Sequence, residues 1–133
     1  MKKYLIKVFV MIMSVTSIIV ISSIPASAYQ YLSSHTNSNH TFSSSWQENV
    51  LWKPYSTFTA YGYYGYDTHL VNQDYATFYC PDYYHATVVI NSRGRFKNTG
   101  IGSSNVQTWA RHGGTHVSYF MVADGSSTAI NNF

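Results

Sequence analysis

The chain has 133 residues, of which 45% are hydrophobic, 17% aromatic and only 10% charged. Its net charge of +3 owes everything to Lys2, Lys3 and Lys7; beyond them five basic residues face five acidic ones, so the basic footprint that nucleic acid binding needs is missing. The single cysteine, Cys80, excludes an internal disulfide.

The N-terminus has the layout of a secretory signal peptide over residues 1–28. The three lysines are followed by an apolar run from Val8 to Ile21, then Pro25 and the small-x-small pair Ala26 and Ala28. The apolar run is shorter than the roughly 20 residues a membrane span needs. Cleavage after Ala28 leaves a secreted chain of 105 residues out of 133, enough for one domain with one core. All six histidines lie in that part, so its charge rises toward pH about 5–6.

Residues 29–45 are polar and aperiodic and read as a flexible leader, with ordered packing expected from Trp46 onward. The 46–133 domain reads as strands. Ser56 to Tyr66 is dense in Thr and Tyr, which suit a pleated, half-exposed surface. Asp74 to Cys80 follows and stops at Pro81-Asp82. His85 to Asn91 places Ala86, Val88 and Ile90 on one face. Asn91-Ser-Arg-Gly94 signals a turn into a short return strand near Arg95 to Lys97. Gly100 to Ser104 reads as a loop, Asn105 to Arg111 as a strand, His112-Gly-Gly114 as a tight turn, and Thr115 to Val122 as the last clear strand. No amphipathic helix stands out after the signal. Short strands at roughly ten-residue spacing, split by Gly turns, predict an all-β fold, a small antiparallel β-sandwich.

Taken together, Tyr75-Ala-Thr-Phe-Tyr-Cys-Pro-Asp-Tyr-Tyr-His-Ala-Thr-Val-Val89, Asn91, Gly94-Arg95, Trp109-Ala110 and Ser118-Tyr-Phe120 resemble the lactococcin 972 family of secreted bacteriocins, over about residues 58–122. The resemblance implies a small all-β antibacterial protein acting from outside on the envelope of related Gram-positive cells, through a lipid-linked peptidoglycan precursor. The chain departs from that family at its opening, where Trp46 and Trp52 sit behind the polar leader.

The residues themselves offer several binding chemistries. Along a strand Tyr61 and Tyr63 share one face and Tyr64 and Tyr66 the other; their rings and hydroxyls suit sugars, or they pack across strands to stabilise the sheet. Arg93, Arg95 and Lys97 alternate around the turn and, if extended, point one way, where they hold a phosphate or simply keep the edge soluble. His85, Trp109 and Arg111 complete the candidate ligand residues. A metal is not expected, because Gly113-Gly114 between His112 and His116 oppose the helix that such spacing needs; no cofactor is implied. Cys80 is either a buried free thiol or an intermolecular bridge that makes a homodimer. With no catalytic motif, the expectation is not an enzyme. The alternative to a bacteriocin is a non-toxic secreted surface or matrix protein that binds polysaccharide or self-assembles.

Overall fold

The computed structural model describes residues 30–37, 39–55 and 58–133; the signal peptide expected over 1–28 lies outside the described residues. Eight strands run in chain order: β1 Tyr31–Thr36, β2 Trp46–Tyr55, β3 Phe58–Asp67, β4 Gln73–Tyr79, β5 Tyr84–Asn91, β6 Gly94–Ile101, β7 Asn105–Arg111 and β8 Ser118–Asp124. A six-residue helix, α1, spans Ser127–Asn132. The strands form two antiparallel four-stranded sheets, ordered β1-β8-β5-β6 and β2-β3-β4-β7. The all-β sandwich expected from the sequence is the observed architecture.

The core lies between the sheets. Ala60, Ala76, Phe78, Val89, Tyr119 and Met121 are among its fully buried members. Polar side chains also stitch the sheets together. Thr87 and Thr108 share a hydroxyl–hydroxyl bond of 2.7 Å. The Asp74 carboxylate, 0% exposed, accepts from Asn91 Nδ2 at 2.7 Å and pairs with His112 Nδ1 at 2.9 Å. Buried polar groups hold position when all are partnered, and these bonds tie β4 to β5 and to the chain after β7.

The flexible leader expected over 29–45 requires correction, because it supplies β1. This strand alternates half-buried Tyr31, Ser33 and His35 with exposed Leu32, Ser34 and Thr36. It pairs with β8 from Tyr31↔Ala123 to Thr36↔Ser118. Tyr31 stacks on Trp52 at 4.6 Å and His35 on Tyr64 at 4.5 Å. Asn37 then anchors the exit, giving Nδ2 to Thr115 O at 3.2 Å and accepting from Val117 N at 2.9 Å. The inward residues are aromatic or polar rather than aliphatic, which disguises the strand in the sequence.

Two further differences concern the other end. Gly100 belongs to β6 rather than to a loop, and a short helix follows β8. Ser126 caps that helix by accepting from Ala129 N. Ile130 covers Ala86 and Val122 on the outer side of the first sheet. At the predicted turn, Ser92 and Arg93 keep negative φ and Gly94 reverses the chain at φ +137°.

Candidate functional site

The outer face of the β2-β3-β4-β7 sheet carries the site. Register aligns Gln47, Gly65, Tyr75 and Trp109 in one row across the four strands. The next row is Asn49, Tyr63, Thr77 and Gln107, and the one beyond is Leu51, Tyr61, Tyr79 and Asn105. Residues two apart share a face, so each row repeats the same outward direction.

Tyr75 forms a floor. A Cβ on Gly65 would lie 2.1 Å from Trp46 O and 2.9 Å from the Tyr75 hydroxyl, so the phenol occupies the space that only glycine leaves. Its hydroxyl donates to Gln47 Oε1 at 3.1 Å. Burial, then Asp67 and Tyr63, raise the Tyr75 pKa above its ordinary 10.0, which keeps that donor protonated. Tyr63 meets the Tyr75 ring edge-on at 6.0 Å, and Trp109, 46% exposed, leans on it at 4.8 Å. These three rings, with Gln47, Ser45 and Asp67 along the rim, border an open cleft of about 470 Å³. The rim is held in place: Thr68 N donates to Ser45 Oγ at 2.9 Å and His69 N to Asp67 Oδ1 at 3.0 Å.

A flat aromatic floor, aromatic walls and an amide–carboxylate rim suit a ligand with apolar faces and hydroxyl edges. The indole Nε1 of Trp109 reaches Gln107 Oε1 at 3.4 Å. Arg111 is exposed at the end of the same face, two residues beyond Trp109.

The ten candidate residues divide sharply. Tyr61, Tyr63, Trp109 and Arg111 share this face. Tyr64 and Tyr66 turn inward instead, 8% and 1% exposed, following the strict alternation of β3, and both are pushed above their ordinary pKa by burial; from there Tyr66 still borders the first cleft and Tyr64 a second one. His85 is likewise core, 0% exposed, with its two ring nitrogens 2.9 Å from Tyr83 O and Ser104 O.

The basic row also fails to form an anion site. Arg93 Nε donates to His112 O at 2.9 Å, whereas Arg95 reaches Phe133 O and lies 5.5 Å from the Phe133 ring. Lys97 Nζ donates to Ile130 O at 2.6 Å and Asn131 O at 2.8 Å. Burial, and then Arg95, lower the Lys97 pKa. Cations at a helix C-terminus neutralise its exposed carbonyls, so Arg95 and Lys97 serve to dock α1.

Cys80 is free and 0% exposed, its thiol pushed up to about 12 by burial and then by Asp82. A thiol in that state is a small core hydrophobe, not a nucleophile, and it is out of reach of a second chain. Among the described residues no group of three or more His, Cys, Asp or Glu comes together as a metal site.

A second cleft of about 440 Å³ opens between the β1 and β2 edges. It holds the His40–Glu48 pair at 2.9 Å and His35, whose pKa burial lowers against the opposing pull of Glu48. Its lining includes Tyr64, 8% exposed and stacked by His35.

Sequence reasoning missed Tyr75 and Gln47 as site residues. Their signal was faint: a Gly at 65, between tyrosines in a strand, marks a close approach by another group. Compared with known proteins, the chain matches no family model, no curated protein and no solved structure.

Proposed function

We propose that the protein is exported and binds a glycan of the cell envelope through the outer face of the β2-β3-β4-β7 sheet. The observation that carries this reading is the exposed Trp109 indole, leaning on a Tyr75 ring that is 7% exposed and lies over Gly65 beside Tyr63, with Gln47 and Asp67 on the rim. Sugar rings present C–H faces to aromatic planes and hydroxyls to amides and carboxylates, and each partner is in place. Binding to isolated cell walls, read by sedimentation and tryptophan fluorescence, tests it. Trp109→Ala should weaken binding about tenfold, because it removes one half-exposed aromatic contact without opening the core. Undiminished binding by both Trp109→Ala and Tyr63→Ala overturns the assignment.

The sequence resemblance over 58–122 supports a second reading, in which envelope binding inhibits growth of related Gram-positive bacteria. With Arg93, Arg95 and Lys97 bonded at the surface to main-chain carbonyls of the protein itself, recognition of a lipid-linked precursor then falls to its sugars rather than its pyrophosphate. Micromolar protein should inhibit such strains, and excess precursor should relieve the effect. Cell-wall binding without inhibition leaves the non-toxic glycan binder.

A further inference from the structure

Resting on the glycan reading above, we infer that the ligand is an extended, neutral chain that runs along β4 and fills a second aromatic subsite at Tyr61 and Tyr79. These two rings stack at 5.0 Å with an interplanar angle of 28°, and Tyr61 remains 47% exposed. Leu51, their neighbour in the row, is 61% exposed. An apolar surface kept open beside the amides of Asn49, Asn105 and Gln107 marks a contact site.

The spacing of the two subsites decides the kind of ligand. Tyr75 and Tyr79 stand on the same face of β4 four residues apart, about 13 Å by the rise of a strand. One sugar ring cannot touch both, whereas several linked rings span them.

The row between the subsites supplies the independent observation. Thr77 is 1% exposed, and its hydroxyl has no hydrogen-bond partner among the described residues. By the alternation of β4 it faces the same way as Tyr75 and Tyr79, since Ala76 and Phe78 face the core. A buried hydroxyl left unpaired costs free energy that a ligand hydroxyl would recover. Its register neighbours are Tyr63 and Gln107. Gln107 is exposed and its side-chain carbonyl accepts a long 3.4 Å bond from Trp109, so the side chain can swing aside for a ligand on the timescale of surface rotamers. Asn49, Tyr63, Thr77 and Gln107 carry no charge, which matches neutral units at this row.

The test titrates the protein with β-1,4-linked N-acetylglucosamine chains and with β-1,4-glucan chains, each from disaccharide to hexasaccharide. At least one series should tighten about tenfold as the chain reaches the second subsite. Tyr61→Ala should then collapse the hexasaccharide affinity onto that of the disaccharide, while Trp109→Ala weakens every length. Affinity that stays flat with length, while short chains and cell walls still bind, overturns the extended chain and leaves the glycan reading intact. Binding to walls but to neither series also overturns it. Binding to neither walls nor chains removes both readings.

Discussion

Replacing Gly65 with alanine ties the site to the fold in a single methyl group. The new Cβ would sit 2.1 Å from Trp46 O, 2.9 Å from the Tyr75 hydroxyl and 3.1 Å from Gln47 Cα. Two of those atoms are backbone of β2, so side-chain motion alone gives no relief. Either β2 shifts at the Gln47↔Gly65 pair or Tyr75 leaves its floor position. Overpacking of this kind costs about 1–3 kcal/mol. Loss of the Tyr75–Gln47 hydrogen bond adds about 1 kcal/mol. For a domain near this size each kcal/mol lowers Tm by about 4–8 °C. Gly125→Ala is the control, because nothing lies within 4 Å of its Cβ and its effect should stay within about 0.5 kcal/mol. Urea unfolding followed by circular dichroism gives both stabilities, and cell-wall sedimentation gives binding. If Gly65→Ala unfolds at the same midpoint as Gly125→Ala and binds normally, Tyr75 does not lie over bare backbone and the cleft has another floor.

Asp74→Ala should cost about 1–3 kcal/mol, since it removes the shared acceptor of Asn91 Nδ2 and His112 Nδ1 in a buried site; an unmoved denaturant midpoint contradicts the network. At alkaline pH the sign follows from the raised Cys80, Tyr31, Tyr64, Tyr66 and Tyr119 groups, which prefer their neutral forms in the fold. Their stabilisation is complete below the ordinary values of 9.0 for the thiol and 10.0 for the phenols, and is lost as pH climbs toward about 12; phenolate absorbance from these rings should rise together with loss of strand signal. His35 acts on the acid side: its pKa is lowered from 6.5, so stability falls as pH drops below that value, and His35→Gln should flatten the slope. Lys97→Ala should loosen α1 by about 1 kcal/mol, seen as faster amide exchange at Ile130 and Phe133, and should leave inorganic phosphate binding unchanged.

Much of the fold was legible in local pattern, and the exceptions have physical causes. The separation of Tyr61 and Tyr63 from Tyr64 and Tyr66 follows directly from the two-residue period of β3. Which pair is buried did not follow, because tyrosine fits either side and only the opposing sheet chooses. His85 read as a ligand residue because an imidazole is polar; the carbonyls of Tyr83 and Ser104 that lie 2.9 Å from its ring nitrogens in the core come from loops flanking β5 and β7. The alternation of Arg93, Arg95 and Lys97 was visible, but a six-residue helix is too short to announce itself through periodicity. Without the helix their partners could not be named.

The strand character of β3 to β8 was determined by the sequence alone, because alternation, β-branched and aromatic content, and Gly turns act between near neighbours, whereas β1 needed its partner β8. Which face is buried, and which distant residues meet, was decided only by tertiary structure. Gln47, Tyr75 and Trp109 are scattered along the chain and share a row solely because three strand pairings fall in that register. Register is set by packing across the whole sandwich, and no local stretch contains that information.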